Sequence, residues 1–141
     1  MGFRRVGFIL AMLWSTSMMG QAVVFEIEGK STCTCNAGVE NPQDFFIDFE
    51  DCTSDDDYRA LLSVDLPQQF MTLTNLGDSP EGFTYNIVGM DDDDDASRFL
   101  GELHDKKGMV AVQYDPQLVV HFNFTEGTCQ LYDWVSATSE E

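Results

Sequence analysis

The feature that most constrains this chain is an alternation of apolar and polar residues with a period of two, which recurs in one segment after another. Phe25 and Ile27 alternate with Glu26 and Glu28; Phe45, Ile47 and Phe49 with Asp48 and Glu50; Leu62, Val64 and Leu66 with Ser63 and Asp65; Phe83, Tyr85 and Ile87 with Thr84 and Asn86. Successive side chains of a strand point to opposite faces, so each segment reads as a strand with one face buried. Residues 69–75, 109–114, 118–124 and 128–135 bring the total to about eight strands. Turn signals separate them at Asn41-Pro42, Leu66-Pro67, Gly77-Asp78-Ser79-Pro80, Asp115-Pro116 and Glu126-Gly127. The expected fold is a single all-β domain, an antiparallel β-sandwich or barrel, with its last three strands as a meander. One stretch departs from the period. Residues 94–107 place Phe99, Leu100 and Leu103 at helical spacing, with acids at the start and Lys106, Lys107 and Gly108 at the end, which predicts one short helix.

Residues 1–22 form the pattern of a secretory signal: a basic start (Arg4, Arg5), an apolar stretch from Val6 to Trp14, and the ending Gly20-Gln21-Ala22. Cleavage after Ala22 leaves residues 23–141 as one secreted domain. The apolar run is about half the ~20 residues that a membrane span needs, so no span is expected. All four cysteines, Cys33, Cys35, Cys52 and Cys129, follow the leader, and in an oxidising route they predict two disulfides. One residue between Cys33 and Cys35 is too few for a structural zinc site and too few for an unstrained bridge. That leaves 33–52 with 35–129, or 35–52 with 33–129, and nothing in the sequence separates them.

Charge narrows the partners. The chain has 25 Asp and Glu against 7 Lys and Arg, a formal charge of −18, and removal of Arg4 and Arg5 with the leader takes it to −20, since the leader holds no acid. A polyanion is repelled by such a field, which excludes nucleic acid and anionic membrane as ordinary partners and favours a protein or other macromolecule with a basic surface. The 43% hydrophobic and 12% aromatic content is that of a folding chain, not of an acidic disordered tail.

Several residues are candidates for function. Asp55-Asp56-Asp57 and Asp91 to Asp95 are the densest acidic clusters. The second fits part of a calcium-loop template, with Asp91, Asp93 and Asp95 at positions one, three and five and Glu102 at twelve. Ala96 stands where that loop needs glycine, and a strand precedes it where the motif has a helix. Calcium is therefore a possible ligand of a looser loop site, and no other cofactor is expected. Asn123-Phe124-Thr125 is an N-glycosylation sequon. With Leu118, Val120, Phe122 and Phe124 taken as the core set of their strand, Asn123 and His121 should face solvent. Tyr132 and Trp134 share a strand face opposite Cys129. If the cysteine is buried they form an exposed recognition pair, and if the sheet is covered on both faces they are core.

In size and in its four cysteines the chain resembles the extracellular CUB sandwiches, with local likeness at Phe49-Glu50-Asp51-Cys52, Tyr58 and Arg98-Phe99. That family would place a cysteine near the last pair where this chain has Leu100, and the chain is not assigned to it. No nucleophile elbow, zinc-protease helix or phosphate loop is present, and His104 and His121 have no partner at catalytic spacing, so no enzyme is expected. The sequence predicts a disulfide-stabilised module that binds a macromolecule, as effector, inhibitor or recognition protein. The alternatives are a calcium-binding adhesive domain and a small secreted hydrolase.

Overall fold

The structure, a computed structural model, describes residues 22–38, 40–77 and 82–140. Apart from Ala22 the leader lies outside them. The strands are β1 (Ala22–Ala37), β2 (Ile47–Asp65), β3 (Phe70–Asn75), β4 (Gly82–Asp92), β5 (Ala96–Leu103), β6 (Lys106–Tyr114), β7 (Gln117–Asn123) and β8 (Thr128–Glu140). Each pairs antiparallel with the next, and β8 pairs with β1, which closes an up-and-down barrel. Closure leaves the barrel wall without an edge, and its inward residues form one core.

That core is built from cross-strand rows. Val23, Val64, Met71 and Tyr85 are successive partners on β1 to β4, as are Phe25, Leu62, Leu73 and Phe83. One end is filled. There Trp134 packs edge-on against Phe25 at 5.3 Å and donates its indole N–H to the Gln113 carbonyl at 2.9 Å. Nearby the buried Tyr114 hydroxyl bonds Ser97, whose own hydroxyl donates to Asp92 at 2.6 Å.

No helix forms over 94–107. Those residues are the β5–β6 hairpin, with Leu103 opposite Lys106 around the turn His104-Asp105, where His104 takes the left-handed φ of +57°. The apparent helical face is split by the pleat, Phe99 wholly buried inside and Leu100 outside. Gly101, an unfavourable residue in a helix, has a specific use in a strand. It pairs with Gly108, and the ring of Tyr85 lies against both: a Cβ on Gly101 would stand 2.5 Å from Tyr85 Cβ, and one on Gly108 2.7 Å from its Cζ.

The wall also has a covered outer face. Leu100, Met109, Phe122 and Cys129 are successive partners on β5 to β8, and Met109, Phe122 and Cys129 are buried although they point away from the core. The end of β1, the start of β2 and the segment joining them cross this row as a strap. Cys35 is bonded to Cys129, Phe45 meets Phe124 edge-on at 6.2 Å, and Lys107 Nζ pairs with Glu40 at 2.9 Å. The second bond, Cys33–Cys52, joins β1 to β2 within the strap, so the first of the two open pairings is the one formed. Because the strap buries the outer face of β7, the apolar set Val120 and Phe122 is outside, and Val119 and His121 face in, the reverse of the expectation from alternation.

Candidate functional site

The end of the barrel opposite Trp134 is open, a cup of about 790 Å³. Its rim is made by the ends of β3 and β4, the turns at 103–106 and 123–128, and Lys30 of β1; its floor is Phe83, Tyr85, His121 and Tyr132. The glycine slot lets Tyr85 lie along the wall until its hydroxyl reaches His121 on β7. The Tyr85 O–H donates to His121 Nε2 at 2.8 Å, and His121 Nδ1–H donates to Gln130 Oε1 at 3.2 Å, an assignment that follows because a carboxamide oxygen only accepts. Phe83 stacks on the imidazole at 4.2 Å.

Burial sets the charge of this floor. It depresses His121 to about 4, against a weaker opposing effect of the Gln130 hydrogen bond, so the ring is neutral at physiological pH. Burial, with the nearby Glu126 carboxylate second, pushes Tyr85 up to about 12. Two lysines, Lys30 and Lys106, and two carboxylates, Asp105 and Glu126, line the rim, so the cup is close to neutral within a strongly acidic protein.

Three amides line it in a common manner. Asn75 Oδ1 accepts the Gly77 N–H at 2.7 Å, Asn123 Oδ1 accepts the Thr125 and Glu126 N–H groups at 2.9 and 3.1 Å, and Gln130 Oε1 takes the histidine. With each oxygen engaged by the protein, the NH2 group is what each side chain has to offer a ligand.

The residues singled out in the sequence fall in several places. Tyr132 and Trp134 point into the barrel and are 4% and 1% exposed; they form no outer recognition pair, because Cys129 is buried under the strap on the opposite face. Tyr132 does line the cup. Asn123 is half-buried at the rim. Asp55, Asp56 and Asp57 are exposed on β2, with Asp55 Oδ1 accepting the Asp57 N–H at 3.1 Å. At the closed end Arg98 donates to Asp93 at 2.6 Å and Asp91 at 3.4 Å, which holds Asp93 below the usual carboxylate range. Asp95 lies in the same turn, whereas Glu102 is opposite Asn86 and Lys107 near the open end of β5. The four carboxylates of the calcium template are thus not gathered, and no group of three His, Cys, Asp or Glu placed to hold a metal occurs among the described residues.

In the sequence Tyr85 is legible only as a residue of a buried strand face and His121 only as a histidine without a partner, and Gln130 carries no signal at all. Alternation alone assigned His121 to solvent, and the contact that recruits it comes from a strand 36 residues away. Neither a protein-family model, nor a curated protein, nor a solved structure matches the chain. The CUB resemblance therefore remains confined to the few residues that carry it, and a closed barrel is not the sandwich it implied.

Proposed function

We propose that the protein is a secreted binding module, not a catalyst, and that its principal site is the open end of the barrel, where it holds a small molecule. The cup is the observation that carries this reading. Its volume of about 790 Å³ falls in the ~300–1,000 Å³ range of ligand pockets, and its floor is held by buried, mutually hydrogen-bonded side chains that need no ligand to set them. Eight strands is also the barrel size that can hold one small ligand. The two disulfides accord with the oxidising route that the leader implies. A thermal-shift screen tests the reading, since a ligand at ~100 times its Kd adds about 2.7 kcal/mol to stability. At least one class of compound should raise the Tm of the wild type but not of Thr128→Trp, which fills the rim from an exposed position. No responding class, or an equal response in the variant, refutes it.

A second reading, a macromolecular partner with a basic surface, is favoured by the strap. Phe46 and Phe49 are 57% and 41% exposed among Asp44, Asp48, Glu50 and Asp51, and on β2 the pairing with β3 begins only at Ala60. Aromatic anchors in a field of carboxylates suit a cationic protein, whose encounter would be fast and salt-sensitive. Changing Asp55, Asp56 and Asp57 to Asn should slow association with a lysine-rich peptide at low salt. An unchanged rate removes this reading.

A further inference from the structure

We infer that the ligand of the cup is a neutral saccharide. This rests on the reading of the cup as the binding site and adds the chemistry of what fills it. Three properties of the lining lead to it. The first is polar density: Asn75, Asn123 and Gln130, each with its oxygen held by a protein hydrogen bond and its NH2 group left as donor, line one opening together with Asp105 and Glu126. A sugar carries a ring of hydroxyls, each at once donor and acceptor, and such a mixed array matches it group for group.

The second property is charge. Lysines and carboxylates balance at the rim, and the floor histidine is neutral, so nothing in the cup offers an uncompensated charge to an ionic ligand. An organic phosphate or carboxylate would also approach against the field of a chain with formal charge −18. The third is the nature of the apolar surface. It comes from aromatic rings, Phe83, His121 and Tyr132, with Leu73 and Leu103 the aliphatic residues of the lining. A fatty acyl chain needs an aliphatic sleeve. The negative face of an aromatic ring instead attracts polarised C–H bonds, and one face of a pyranose presents several of them.

The test is an NMR titration of the disulfide-intact domain with chitotriose, maltotriose and laminaritriose, and in parallel with decanoate, following the aromatic resonances of Phe83, His121 and Tyr132. At least one trisaccharide should shift them, with a Kd on the order of 1 mM or tighter. The double variant Asn75→Asp, Asn123→Asp keeps the oxygens that accept Gly77, Thr125 and Glu126 and removes only the NH2 donors. It should weaken that saccharide by about tenfold or more, while a neutral ligand feels no repulsion from the added charge. Saccharide binding that maps elsewhere, or that is indifferent to the double variant, overturns the inference. Decanoate in the cup with no saccharide response overturns it and leaves the cup as the site. Silence from both probes overturns the saccharide and, joined to a blank thermal-shift screen, the cup as well.

Discussion

Gly101→Ala isolates the packing that builds the floor of the cup. The backbone at Gly101 is not left-handed, so alanine is permitted there, and on chain entropy alone the change should stabilise by ~0.4–1 kcal/mol. Space decides otherwise. The new Cβ would lie 2.5 Å from Tyr85 Cβ, 2.6 Å from its Cγ and 2.8 Å from Met71 Cε, and the atom struck first, Tyr85 Cβ, is fixed by the β4 backbone and no rotamer can withdraw it. Retreat is also closed from behind, because Gly108 backs on the ring and the Tyr85 hydroxyl is tied to His121 at 2.8 Å. Overpacking of this kind costs ~1–3 kcal/mol, and loss of the Tyr85–His121 bond adds about 1 kcal/mol. Net destabilisation should be about 2–3 kcal/mol, a fall of roughly 1 M or more in the urea midpoint for a domain with an ordinary m-value. In a Tyr85→Ala background the same substitution should be neutral or stabilising, so a double-mutant cycle would report a coupling of the same size. A Gly101→Ala single variant within ~0.5 kcal/mol of the wild type would falsify the assignment of Gly101 as the slot for Tyr85.

The buried imidazole makes stability depend on pH. With His121 near 4 in the fold and near 6.5 unfolded, protons bind the unfolded chain first, so stability is full above about 6.5 and is lost as the pH falls towards 4; urea titrations at pH 7.5 and 4.5 should differ by about 2–3 kcal/mol more in the wild type than in His121→Gln, and equal differences reject the effect. Replacing Cys35 and Cys129 with Ser opens a loop of 94 residues and should cost about 4–5 kcal/mol, with increased binding of an apolar dye as the strap lifts from Met109 and Phe122; a dye response equal to that of the wild type would show that the strap holds without its pin. In a eukaryotic secretion host Asn123→Gln should leave the apparent mass unchanged, because the Asn123 amide lines the cup with its oxygen held by the Thr125 and Glu126 N–H groups; loss of one glycan's mass would show that the sequon consumes the NH2 group assigned to the ligand.

How much of this was legible in the sequence depended on whether the signal was local. Alternation located the strands because each exposes one side chain type per face, and an even set of cysteines after a leader implied two bridges. The helix expected at 94–107 failed on Gly101 and Gly108: both are weak residues in isolation, and their pairing across a hairpin becomes visible only with Tyr85 in place. The orientation of β7 failed for a different reason. Val120 and Phe122 obeyed the period, but the surface they bury against is a strap anchored 94 residues from Cys129, so the apolar face was the outer one. The same strap turned Tyr132 and Trp134 inward. The cup was invisible for the sum of these reasons, since its floor comes from four residues on β4, β7 and β8 that meet only after the ring closes.

An even number of strands in simple up-and-down order returns the chain to the end at which it started. Val23 sits beside Ser139 at the closed end of the barrel, and the cup opens at the other. Anything joined to either of these residues, whether a surface anchor, a neighbouring domain or a carrier used to immobilise the protein, would attach behind the barrel, and the mouth would face outward and unobstructed.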